Sequence, residues 1–159
     1  MSVDYGSDDP SETHVTTTFT PDTATLLAVL RGRQSGRASK LYSTVHSLLD
    51  LDEVAREGLP KESLTAVVHA ATRSIAEAVT ARRSVIPDAT WKRGTIRLNP
   101  AESDRTLRLA RLVALTRHVW HDNEDDVTEF LSTPHALLGG RTPLECSATD
   151  LGTELVEGI

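Results

Sequence analysis

FLSTPHALLGGRTPLE, running from Phe130 to Glu145, contains two helix ends and a corner between them. Val127, Phe130 and Leu131 recur at three- and four-residue spacing, so the left end closes an amphipathic helix. Pro134 stops that helix, because the residue before a proline is pushed out of the helical region. Gly139 and Gly140 allow positive φ without steric cost, which predicts a sharp turn. Thr142, Pro143 and Glu145 then supply an N-cap, a proline at the first helical position and the partner of a capping box. The stretch therefore specifies a stiff helix–loop–helix with Arg141 held at the Gly-Gly corner.

The same residues carry a family resemblance. Phe130 to Pro134, then Leu137 to Glu145, and later Gly152 with Val156 and Glu157, resemble the C-terminal toxin-binding domain of Xre/MbcA/ParS-type antitoxins. The partners of that family are RES-domain toxins, which degrade NAD. Phe130 stands where the family has tryptophan, and His135 where it has asparagine after the proline. Upstream, Gly58-Leu59-Pro60 and the run from Leu98 through Arg105 into Arg111 follow in family order, so the resemblance covers roughly residues 52–159. A match in several ordered segments is more specific than any one motif. It implies an all-α chain: an Xre-like helix-turn-helix domain, then a small helical toxin-binding domain. It also implies toxin contact through Leu137, Leu138, Gly139, Gly140, Arg141, Leu144 and Glu154. Leu137, Leu138 and Leu144 would be apolar anchors. Arg141 would either lodge a planar, permanently charged guanidinium in the toxin or act as a hydrogen-bonded strut within its own loop.

Outward from the corner, the totals bound the rest. At 159 residues the chain is long enough for one or two small domains. No run reaches the ~18 apolar residues of a membrane span, and the start MSVDYGSDDPSETH lacks the basic end and apolar core of a signal peptide. Cys146 is alone and cannot form an internal disulfide. A cytoplasmic protein with no membrane contact is expected. The net charge of −6 conceals a split: residues 59–100 carry +4 and residues 101–159 carry −6, which suggests two different partners, one of them polyanionic.

Residues 1–20 are acidic, Ser/Thr-rich and poor in groups to bury, and read as a disordered tail. Residues 21–58 read as N-terminal helices for packing or dimerisation: TATLLAVLR closed by Gly32, a flexible GRQSGR link, a helix over Ala38 to Leu49, and a short turn from Asp50 to Glu57. Residues 59–100 form the helix-turn-helix candidate. KESLTAVVHAA is followed by SIAEAVTAR with Ile75, Ala78 and Val79 on its apolar face, a link over Arg82 to Ile86, and a third helix from Pro87 through DATWKRG to Gly94. If that third helix enters a groove, Thr90, Lys92, Arg93 and Thr95 are best placed for base or phosphate contact, with Arg82, Arg83 and Arg97 on phosphates. A solvated basic face is the alternative. The link has no glycine, and Trp91 stands where the family commonly has an aliphatic residue.

Residues 101–159 form the toxin-binding candidate. Asn99, Pro100 and Glu102 open the longest helix, to about His121, whose apolar stripe is wide enough to pack on two sides. Asp122 or Asn123 caps the next helix, with Glu124, Asp125 and Asp126 at its positive end. In the last element, Leu151, Leu155 and Val156 are expected to pack inward.

No catalytic constellation is evident: no phosphate-binding glycine loop, nucleophile elbow or Cys/His pair. His118 and His121 lack a third metal ligand, and Asp122 to Asp126 lacks the glycine of a calcium loop. Neither metal nor cofactor is expected, and the chain does not read as an enzyme. The resemblance implies an antitoxin that covers a RES toxin's active site and binds operator DNA to repress its own operon, as a homodimer within a larger toxin–antitoxin assembly. The alternative is a stand-alone helix-turn-helix regulator whose C-terminal part only dimerises.

Overall fold

Polar caps, more than apolar periodicity, set where the helices begin. The computed structural model describes residues 19–33 and 37–159, so the tail reading of residues 1–18 and the centre of the GRQSGR link lie outside it. Asp22 accepts from the Thr25 amide to open α1 (Thr23–Arg31). After α2 (Arg37–Tyr42), the hydroxyls of Ser43 and Thr44 donate back to the carbonyls of Lys40 and Leu41. Ser47 and Asp50 then form a capping box that starts α3 (Leu48–Glu57). The single helix expected over Ala38 to Leu49 is therefore two. Leu48 and Leu49 lie exposed in the first turn of the second helix.

Gly58-Leu59-Pro60 pairs in extended form with Ile96 to Leu98. Leu98 N donates to Leu59 O at 2.8 Å and Lys61 N to Ile96 O at 3.1 Å. Gly58 has φ 110, and a Cβ there would lie 2.2 Å from the Leu98 carbonyl oxygen. The position therefore demands glycine for both reasons. Leu59 N is satisfied by Ser103 Oγ at 2.9 Å, which ties this crossing to α7 (Pro100–Val119).

Between the two extended pieces lie α4 (Lys61–Ala71), α5 (Ile75–Val85) and α6 (Asp88–Trp91). The link expected over Arg82 to Ile86 is mostly helix, because α5 continues through Val85 and only Ile86 and Pro87 connect it to α6. Ile75, expected on the buried face, is exposed, whereas Ala78, Ala81 and Val85 are buried. After α7 come α8 (Glu124–Ser132, capped by Asn123), a 3-10 turn (Ala136–Leu138), α9 (Pro143–Cys146) and α10 (Asp150–Glu157). Apart from two isolated antiparallel bridges, every regular element described is helical.

One continuous core runs through these helices, with Leu30, Leu64, Val67, Leu112, Val113, Leu131 and Leu138 among its most enclosed side chains. α1 packs on α4 and α7, so the N-terminal helix contributes to the core of the next segment. α7 touches α1, α3, α4, α5, α8 and α10. Contact with this many helices is what its wide apolar stripe requires. α10 departs from expectation in part: Val156 is buried as expected, with Gly152 and Thr153, but Leu151 and Leu155 face outward. A Cβ at Gly152 would lie 2.0 Å from the Cys146 carbonyl oxygen, so backbone approaches backbone there and only the small face of α10 fits inward.

Candidate functional site

The corner is fixed largely by its own backbone. His135 N donates to Arg141 O at 3.0 Å and Gly140 N to His135 O at 2.9 Å, closing the loop at its neck. Within it, Leu138 N donates to His135 O and Gly139 N to Ala136 O, both at 3.0 Å. Gly139 is left-handed at φ 65, ψ 33, and Gly140 follows at φ 78. A Cβ at either glycine would meet nothing within 4 Å, so conformation, not space, selects them. Beyond the neck, Thr142 and Glu145 form the expected capping box, with Thr142 N to Glu145 Oε2 at 2.8 Å and Glu145 N to Thr142 Oγ1 at 3.1 Å. Beneath, the Trp120 and Phe130 rings lie 4.7 Å apart, and Phe130 meets the His135 ring edge-on at 5.0 Å.

The two adjacent leucines in the corner part company. Leu137 is 78% exposed, whereas Leu138 is 1% exposed and belongs to the main core. Leu138 therefore cannot serve as an anchor presented to a partner; it holds the loop down from inside. Leu144, also expected as an anchor, is half-buried against the core. Arg141 combines the two roles considered for it: Nε donates to Leu138 O at 3.2 Å as a strut, yet the side chain forms no ion pair among the described residues and the residue is exposed. Gly139, Gly140 and Glu154 are exposed.

The basic residues of the middle segment divide similarly. Arg82 is not free for phosphate: its side chain is 11% exposed, pairs with Asp88, donates to Ile86 O at 3.2 Å and lies 5.0 Å over the Trp91 ring. Arg83 Nε also reaches Asp88, at 2.8 Å. The Arg82 hydrogen bond, with the charge of Arg83 beside it, holds the Asp88 carboxyl below the usual carboxylate range. Lys61 Nζ lies over the Trp91 ring, 4.9 Å from its centroid, and donates to Trp91 O at 2.7 Å. α6 is therefore a single turn clasped to α5 and α4, not a helix reaching Gly94. Lys92, Arg93 and Thr95 are exposed beyond its end, and Thr90 is half-buried. Arg97 sits apart, donating to Gly58 O at 3.4 Å with Glu57 at 3.9 Å.

Asp88 and Ser103 were not singled out by the sequence, although an acid just after Pro87 and six residues beyond Arg82 is the signal for the first. His118, one of the two neighbouring histidines, stacks on Phe19 at 3.9 Å. Among the described residues, no group of three or more His, Cys, Asp or Glu is arranged to hold a metal ion, and no helix is long and apolar enough to cross a membrane. A cleft of about 590 Å³ is lined by residues of α4, α7 and α8 and by Arg33, which pairs with Glu124 at 3.9 Å, and shares no residue with the corner.

Two family models meet on α7. Residues 50–111 match the antitoxin Xre-like helix-turn-helix domain, and residues 115–158 match the antitoxin Xre/MbcA/ParS C-terminal toxin-binding domain. No curated protein matches the chain. The first span holds the clasped pair α5 and α6, the second holds the whole of the corner with α9 and α10, and together they place the chain among the Xre/MbcA/ParS-type antitoxins.

Proposed function

We propose that this antitoxin neutralises a RES-domain, NAD-degrading toxin in the cytoplasm by seating the corner over the toxin's active site, acting by occupancy and not by catalysis. The observation that carries this reading is the pairing of Leu137 and Arg141 on a turn already closed by its own hydrogen bonds. A preorganised turn enters a concave site with little loss of conformational freedom. Leu137 offers an apolar contact, and Arg141 keeps its terminal nitrogens for an acidic group while Nε fixes its direction. On the same reading, the exposed Lys92, Arg93 and Thr95 contact operator DNA, and two copies of the chain on two half-sites repress the operon.

Co-expression with the RES-domain protein of the same operon tests the corner. Arg141→Ala combined with Leu137→Asp is expected to restore growth arrest and NAD depletion while operator binding persists. Full neutralisation by the double variant would mean that the corner is not the blocking element. The engagement of Arg82 and Arg83 with Asp88 supports a second reading, in which the antitoxin acts on protein alone and its helix-turn-helix binds no operator. Mobility shifts on the operon's promoter separate the two.

A further inference from the structure

The cleft of about 590 Å³ has the size of a small-molecule site. Small residues leave the space. Gly32, Ala66 and Ala70 line it with no side chain longer than a methyl group, and a Cβ on Gly32, at φ 55, would already lie 2.8 Å from that of Ala66. Around this apolar lining stand charges of both signs: the guanidinium groups of Arg33, Arg73 and Arg117, and the carboxylates of Glu124 and Asp125. Arg117 is half-buried and, among the described residues, makes neither an ion pair nor a side-chain hydrogen bond. A guanidinium drawn partly out of water without a partner is costly, and its planar fork matches a phosphate. Arg73 and Arg33 are held only by exposed pairs, to Glu129 at 3.4 Å and to Glu124 at 3.9 Å. Such pairs are weak, so a phosphate carrying about two charges displaces them.

The two carboxylates select among phosphates. A bare anion would meet Glu124 and Asp125 as like charges, whereas a ligand with hydroxyls beside its phosphate offers them donors, which is how an acid recognises a ribose. We infer that the cleft binds a ribonucleoside monophosphate: Arg117 and Arg73 hold the phosphate, Glu124 and Asp125 accept from the sugar hydroxyls, and the base lies on Ala66, Ala70 and Val127. The site is independent of the toxin-neutralising reading, since it shares no residue with the corner. Its ligand touches both matched spans, α4 in the first and Arg117 with α8 in the second, and stabilises the folded chain by mass action.

Titration calorimetry on the full chain, with AMP, GMP, CMP and UMP as probes and a thermal melt of every variant, tests this. At least one of the four is expected to bind and to raise the melting temperature. Inorganic phosphate, which offers the carboxylates no sugar hydroxyl, is expected to bind roughly 10-fold more weakly or worse. Arg117→Ala and Arg73→Ala are each expected to weaken the nucleotide by roughly 10-fold or more, as loss of a hydrogen bond to a charged group does. Ala70→Leu fills the cleft without altering a charge and is expected to weaken it as well. Glu124→Gln is expected to weaken the nucleotide but to strengthen phosphate. Arg73 and Glu124 are exposed, so their variants decide should another fail to fold. Absence of binding by all four nucleotides at millimolar concentration overturns the inference, as does phosphate binding as tightly as the nucleotide. A nucleotide that every variant holds as tightly as wild type lies elsewhere on the chain and overturns it too.

Discussion

Leu137 and Leu138 are neighbours in sequence, identical in chemistry and opposite in environment, which makes them an internal control for the account of the corner. Truncating Leu138 to alanine removes a side chain that is 1% exposed and packed in the main core. Such substitutions cost about 2–5 kcal/mol, the lost transfer energy plus the cavity left behind. A loop can partly collapse over the gap, so we place Leu138→Ala near the middle, at about 3 kcal/mol. For a chain of this length each kcal/mol moves the melting temperature by about 2–4 °C, giving a fall of about 6–12 °C. Leu137→Ala removes a side chain that is 78% exposed, and surface changes of this kind stay within about 0.5 kcal/mol. Thermal denaturation followed by far-ultraviolet circular dichroism reads both. Neutralisation in co-expression should show the reverse order once expression is matched, with Leu137→Asp defective at an unchanged melting temperature. Equal melting temperatures for the two alanine variants would refute the assignment of one leucine to the core and the other to the partner.

Two further outcomes concern the clasped end of the helix-turn-helix. Because the folded Asp88 carboxyl titrates below its ordinary value of 3.8, its contribution to stability is present above that value and is lost as the pH falls through the lower, folded one. The stability gap between wild type and Asp88→Asn, measured by urea denaturation, should be constant above about pH 5 and close in acid; a gap that widens in acid would exclude the clasp. If Lys92 and Arg93 contact phosphates, replacing both with alanine should reduce the slope of log affinity against log salt by about 2 for the operon's promoter duplex, measured by fluorescence anisotropy. An unchanged slope would remove them from the interface.

Much of the fold was legible because cap chemistry is local. Asn99 with Glu102, and Thr142 with Glu145, announce their helices within four residues, and the structure has both capping boxes. The misread region obeys the same rule: Ser47 and Asp50 form a box too, but the spacing of Leu41, Val45 and Leu48 suggested a helix running through them. The hydroxyls of Ser43 and Thr44, bonded back to the preceding turn, end that helix without glycine or proline. In the site, the Gly-Gly turn was readable from residue type, but which leucine points inward depends on the direction of a single 3-10 turn, which no periodicity encodes. The Arg82–Asp88 clasp spans a helix end, where spacing rules for side chains on one helix do not apply. In α10 Val156 was placed correctly, but Leu151 and Leu155 were not, because Leu151/Leu155 and Gly152/Val156 have the same four-residue spacing. Hydrophobicity favours the leucine face, whereas close backbone approach at Cys146 favours the glycine face, and the approach wins because a carbonyl oxygen at 2.0 Å cannot be displaced cheaply.

α7 makes these separate features parts of one body. Its three arginines at three-residue steps reach in different directions: Arg105 donates to Val85 O at the end of α5, Arg108 donates to Ala148 O and pairs with Asp150, and Arg111 pairs with Glu157 on α10. Leu109, Ala110, Leu112, Val113 and Ala114 of the same helix are buried, so it is held by packing as well as by these contacts. The two family models abut inside this helix, one ending at residue 111 and the other beginning at residue 115, so no flexible linker separates the helix-turn-helix from the toxin-binding domain. A helix buried along its length bends only at the cost of its core contacts. A toxin seated on the corner would therefore stand at a fixed bearing from Lys92 and Arg93, and whether DNA and toxin are held together is decided by the shape of that rigid body, not by the reach of a tether.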